Sequence, residues 1–158
     1  MKSLQELTEL EYNHRYRNST FPEYARVKRK YTDKTANGLT RCIVDWIRLN
    51  GGFAERVNTT GRPIDRTRVV TNTLGQKQRI GSIDWIPSGS TRGSADIHAT
   101  IAGRSIFIEV KKGRDKLSEA QKQYRENVTQ AGAVYFIAKD FDGFIQDYSK
   151  LLQNTDRT

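Results

Sequence analysis

Apolar residues recur at helical intervals in four stretches of the chain and alternate with polar ones in the segments between them. Leu4, Leu7 and Leu10 follow Ser3 and Glu6, which have the spacing of a capping box, and predict a short helix over residues 3–11. The firmest stripe is Leu39, Ile43, Trp46 and Ile47, predicting a helix over about 37–50 that Gly51 and Gly52 stop. Ala120, Tyr124 and Val128 mark a third helix, capped by Ser118 and ended by Gly132. Phe141, Phe144, Ile145, Tyr148 and Leu152 mark a fourth over about 140–152. Alternation predicts strands over 53–58, 95–101 and 105–111, and the nearly all-apolar run 133–138 reads as a strand buried on both faces.

Two segments break the pattern. Residues 12–34 interleave Arg15, Arg17, Arg26, Lys28, Arg29 and Lys30 with Tyr16, Phe21, Tyr24 and Tyr31, which reads as an extended basic arm. Its basic and aromatic alternation also suits stacking on unpaired RNA bases. Residues 59–90 hold turn formers, the β-rich run Val69, Val70, Thr71 and a second run over 80–86 beyond Leu74 and Gly75, so they read as a hairpin flap rich in arginine. The expected organisation is a basic N-terminal arm over 1–36 and a single domain over 37–158 with the flap inserted. It is an α/β layout, with a central mixed sheet flanked by helices.

At 158 residues the chain is long enough for one core without staples. Its net charge of +9 makes nucleic acid the expected partner class, because basic surfaces release counterions from phosphates. A single cysteine, Cys42, excludes an intramolecular disulfide and a multi-cysteine zinc site, and its place on the apolar face of the second helix makes it a core residue. No run approaches the roughly 20 apolar residues of a membrane span, and the polar start lacks the apolar region of a signal peptide. The expectation is therefore a cytoplasmic protein without a membrane partner.

Candidate chemistry comes from strand parity. With Ile106, Ile108 and Val110 on one face of their strand, Phe107, Glu109 and Lys111 share the other. A two-residue turn at Ala102 and Gly103 pairs Ile101 with Arg104 and sets Asp96 opposite Glu109. A turn at Gly103 and Arg104 sets Asp96 opposite Lys111 on the same face. Two carboxylates about 5 Å apart repel unless one is protonated or a cation lies between them. A hard divalent ion with oxygen ligands fits, and Lys111 beside it suits phosphodiester hydrolysis. The plainer alternative is an exposed ion pair on a solvated strand face. Among the aromatic residues, Trp46 and Trp85 are expected in the core, and His98, on the Asp96 face, is expected to pack or hydrogen-bond.

Gly93, Ser94, Ala95, Asp96, Ile97, then Ile108 to Lys112, then Leu117 to Gln121, then Ala131 to Ala133, occur in the order and spacing of a known family. Over about half the chain the sequence resembles the VRR-NUC branch of the PD-(D/E)XK nuclease superfamily, which includes Holliday-junction-resolvase-like enzymes. The resemblance implies a restriction-endonuclease-like core and a divalent-metal-dependent DNA endonuclease directed to branched or flapped DNA. It also implies Mg²⁺ or Mn²⁺ held by Asp96, Glu109 and the carbonyl of Val110, with Lys111 as the catalytic lysine and Gln121 as the family's helix glutamine. Gln121 equally completes a capping box with Ser118. Arg62, Arg92, Lys112, Arg114, Lys116 and Arg125 are the candidates for DNA contact. Junction cutting uses paired sites, so a homodimer or higher homo-oligomer is compatible with the resemblance. Ala95 stands where the family has proline. Asn37 stands where the family's first helix supplies a glutamate, which leaves either a weakened metal site or a donor from elsewhere, such as Glu11. The alternative function is a catalytically weak or inactive DNA-binding module on the same fold.

Overall fold

The computed structural model describes residues 2–58 and 60–153, so Thr59 at the start of the expected flap and residues 154–158 lie outside the described part. Four helices and eight strands follow in the order α1 (Lys2–Tyr16), α2 (Ala36–Leu49), β1 (Phe53–Arg56), β2 (Arg62–Asp65), β3 (Arg68–Thr71), β4 (Lys77–Ile80), β5 (Ile83–Ile86), β6 (Ile97–Ile101), β7 (Arg104–Val110), α3 (Glu119–Gln130), β8 (Val134–Ala138) and α4 (Phe141–Gln153). β1, β6, β7 and β8 form one sheet in that order, antiparallel except for the parallel pair β7 and β8. This is an α/β protein with a mixed central sheet.

The core lies on one face of that sheet. Ala54, Ile97, Ala99, Ile101, Ile106, Ile108 and Val110 project from it and meet Leu39, Cys42, Ile43, Trp46 and Ile47 of α2 and Phe141, Phe144 and Tyr148 of α4. Each large aliphatic side chain so buried contributes about 1.5–3 kcal/mol. α2 begins where the Thr35 hydroxyl accepts the Gly38 N–H at 3.1 Å. It ends where Gly51 takes a positive φ of 82° and the Gly52 N–H returns to the Ile47 carbonyl. α3 lies against β8 on the other face and sends Tyr124 edge-on to Phe107.

Three expectations are corrected here. α1 runs to Tyr16, five residues past its expected end, and the segment beyond it is not a free arm but a strap laid over α1 and α2. Lys28 pairs with Glu9, and Arg29 with Asp45 at 3.0 Å and with Glu11 at 3.9 Å, while the Tyr31 hydroxyl donates to Asp45 at 2.7 Å. Asp33 then accepts the first N–H of α4, from Phe141. Two of the strap's basic residues, Lys28 and Arg29, are thus matched to the protein's own carboxylates. β8 is half-buried rather than fully buried, because it forms an edge of the sheet, although α3 and α4 both pack on it. Finally, Trp85 is 62% exposed, whereas Trp46 is in the core as expected.

The expected flap is a single antiparallel ribbon. β2 pairs with β5 and β3 with β4 in one continuous register, from Arg62 opposite Ile86 to Thr71 opposite Lys77. Asn72 closes its tip by accepting the N–H groups of Leu74 and Gln76. Among the described residues the ribbon strands pack on no other helix or strand.

Candidate functional site

Asp96, Glu109, Lys111 and Gln121 come together on the sheet face that α3 covers. The turn is at Ala102 and Gly103, both with positive φ, so Ile101 pairs with Arg104 and Ile97 with Ile108. One step further along this register Asp96 stands opposite Glu109. An Asp96 carboxylate oxygen accepts the Val110 N–H at 2.9 Å, which fixes the aspartate across the strand pair. In an extended strand the carbonyl projects from the same edge as the N–H, so the Val110 carbonyl also faces the Asp96 side.

Glu109 is 2% exposed. One of its oxygens accepts from Lys111 Nζ at 3.1 Å and from Gln121 Nε2 at 2.5 Å. The other oxygen is buried without a hydrogen-bond partner. Burial, reinforced by the Asp96 charge, pushes the Glu109 carboxyl up to about 7 despite the lysine beside it. Lys111 is nearly buried, and burial works against its charge. Contact with Glu109 and with Asp115, at 3.3 Å, outweighs that and holds its ammonium above the ordinary value.

Gln121 completes the expected capping box and also reaches Lys111 and Glu109. Its side-chain oxygen accepts from the Ser118 backbone N–H at 3.0 Å, completing the capping box, and from Lys111 Nζ at 3.1 Å, while its amide nitrogen donates to Glu109. The cap therefore sets the amide that orients the two charged groups. Gly93 lets the preceding loop pass against α3: its φ is 85°, and a Cβ there would lie 2.3 Å from the Ala120 carbonyl oxygen. This close passage delivers Ser94, Ala95 and Asp96 beside Gln121.

His98 packs edge-on to Phe107 with ring centroids 4.7 Å apart, and burial lowers its pKa, in line with a packing role. Arg92, an expected DNA contact, and Gln121, an expected catalytic residue, line one cleft of about 560 Å³, which also takes in Gly61 and Trp85 at the foot of the ribbon. Arg114, Lys116 and Arg125 are exposed, and Arg62 is exposed at the ribbon's start. Lys112 is half-buried and donates to the Lys139 carbonyl at 2.7 Å. Glu11 does not reach the site, since it pairs with Arg15 and Arg29 under the strap. Asn37 lines a different groove with Arg41 and Asp45. Sequence reasoning missed Asp115 and Tyr135. The Tyr135 hydroxyl is buried without a partner, and the tyrosine sits level with Phe107 on the parallel strand. Extending the face parity from β7 to β8 would have found it.

The donor set suits a hard divalent cation. Two carboxylates and a carbonyl converge, one carboxylate oxygen is buried and unpartnered, and the carboxyl is driven toward its neutral form by surroundings that a cation would reverse. Among the described residues no group of three or more His, Cys, Asp or Glu side chains gathers, so solvent would have to complete the coordination. Fold and site together define a class: an α/β protein with an acidic pair and a lysine at adjacent strand ends. No protein-family model matches the chain, and neither does any curated protein or solved structure.

Proposed function

We propose that this chain is a divalent-metal-dependent DNA endonuclease of the PD-(D/E)XK, VRR-NUC kind, with Asp96, Glu109 and the Val110 carbonyl holding Mg²⁺ or Mn²⁺. The observation that carries this function is the buried, partnerless oxygen of Glu109, in a carboxyl facing Asp96 and touching Lys111. The order of α2, β1, β6, β7, α3 and β8 around the sheet also agrees with the core that the sequence resemblance implies.

A bound metal would supply Lewis acidity toward a phosphoryl oxygen and a more acidic water. Lys111 is held charged, which suits it to offset charge developing on the phosphate rather than to take a proton from water. Gln121 fixes both Lys111 and Glu109, and Arg92 borders the cleft where a phosphate backbone would pass.

A second function, a DNA-binding module with little or no cutting, is favoured by one observation: no third acidic side chain joins the pair among the described residues. A cleavage panel of labelled duplex, single-stranded, flapped and four-way DNA, with Mg²⁺ and with Mn²⁺, separates the two. Cutting that disappears in Asp96→Ala and falls by about 10²–10³ in Lys111→Ala supports the nuclease. Salt-sensitive binding without cutting of any DNA supports the module.

A further inference from the structure

The ribbon of residues 62–86 has no structural task in the domain. Among the described residues its strands pack only on one another, yet it carries five basic residues against two acidic ones. The two acids are already matched, Asp84 to Arg66 and Asp65 to Arg79, each at 3.1 Å. Arg62, Arg68 and Lys77 make no ion pair among the described residues. Cross-strand register places Arg62, Arg66 and Arg68 on one face and Lys77 and Arg79 on the other, so both faces are basic. Val69, Ile83 and Trp85, on the Lys77 and Arg79 face, are each more than 60% exposed.

We infer that this ribbon is a DNA-binding finger that lies in the major groove of duplex DNA next to the bond being cut. A two-stranded ribbon fits that groove, which is about 12 Å wide. Ten residues per strand extend about 33 Å, close to one helical turn. A groove has phosphates along both walls, which explains cations on both faces of the ribbon better than a flat partner would. The exposed Val69 and Ile83 then meet thymine methyls and sugars. Trp85 covers Gly61 at the ribbon's foot and lines a cleft with Gln121, whose amide donates to Glu109, so duplex held by the ribbon is brought beside the site. A second copy of the chain is a poorer occupant, because two such ribbons would set like charges against each other. The choice of DNA rests on the proposed function above, but binding by the ribbon does not depend on cleavage.

The test is fluorescence anisotropy of a labelled duplex at several salt concentrations, without divalent metal, using the Asp96→Ala protein with and without Arg62→Ser, Arg68→Ser and Lys77→Ser together. Each lost phosphate contact removes about 0.9 from the slope of log affinity against log salt, so the slope should flatten by about 2.7. A matched control, Lys2→Ser with Lys30→Ser and Lys34→Ser, exposed residues that make no ion pair among the described residues, should leave it nearly unchanged. Duplex DNA should compete better than duplex RNA, whose major groove is too deep and narrow for the ribbon. An unchanged slope, equal flattening by the control, stronger competition by RNA or single strands, or a dimer in sedimentation that Ile83→Ser with Trp85→Ser dissolves would each overturn the inference. Cutting by the wild-type chain with an unchanged slope would refute the ribbon alone. A flattened slope in a chain that never cuts would refute the nuclease alone.

Discussion

Replacing Glu109 with glutamine should make the metal-free protein more stable in mild alkali, although it removes a central site residue. The Glu109 carboxyl, buried and facing Asp96, titrates near 7 rather than at its ordinary 4.5. Charging it in the fold therefore costs about 3 kcal/mol more than charging it in the unfolded chain. The groups that set this balance are Asp96 and Asp115, which oppose the charge, and Lys111, which favours it. Because the folded value is raised, the native state holds a proton between about 4.5 and 7 that the unfolded chain has released. Stability contributed by the neutral carboxyl is complete below that window and lost as pH rises through it. Glutamine keeps the carbonyl that accepts from Lys111 and Gln121, and places its amide where the partnerless oxygen lies. At pH 8 in chelator, Glu109→Gln should be more stable than wild type by up to about 3 kcal/mol, or roughly 6–12 °C in Tm. At pH 5 the gain should shrink to about 1 kcal/mol or less. Urea unfolding at both pH values measures this, and a gain that is absent at pH 8, or equal at the two, would refute the electrostatic account.

Other consequences are local. Ala102 sits at a φ of 48° in the turn before Gly103, so Ala102→Asn should stabilise the fold by roughly 0.5–1 kcal/mol in the same urea assay, and a loss would contradict the turn assignment. Gly93→Ala combines a φ of 85° with a clash on the Ala120 carbonyl and should destabilise by roughly 1–3 kcal/mol while reducing cleavage; wild-type stability and activity would show that the loop does not position Asp96. Cys42 is fully buried and its thiol is pushed up to about 11 by burial, so it should resist a thiol reagent until the protein is unfolded, and rapid labelling of the native chain would contradict its place in the core.

Much of the site could be read from the sequence because it depends on strand parity and turn length, which are short-range. The alternation of Ile106, Ile108 and Val110 fixed the face of Glu109 and Lys111, and the Ala102 and Gly103 turn set Asp96 opposite Glu109. The end of α2 followed from Gly51 and Gly52, and the limits of α3 from Ser118 and Gly132, whereas the Thr35 cap of α2 was not read from the sequence. What could not be read is long-range. The basic, aromatic segment after Tyr16 lacks periodicity, yet it is ordered by ion pairs to Glu9 and Asp45, whose positions depend on how α1 packs on α2. Arg15 and Arg29 likewise hold Glu11 away from the site, where the sequence had offered it as a metal donor. Trp85 looked like core by residue type, but a ribbon that packs on nothing leaves a tryptophan exposed.

Calorimetric titration of Mn²⁺ into the chelator-stripped protein near pH 7 tests the central claim most directly. Asp96 and Glu109 sharing one cation predict a single binding step that releases protons from Glu109, visible as a heat that varies with the ionisation enthalpy of the buffer, and lost in Asp96→Ala. No uptake of Mn²⁺, or equal uptake by wild type and Asp96→Ala, would contradict it.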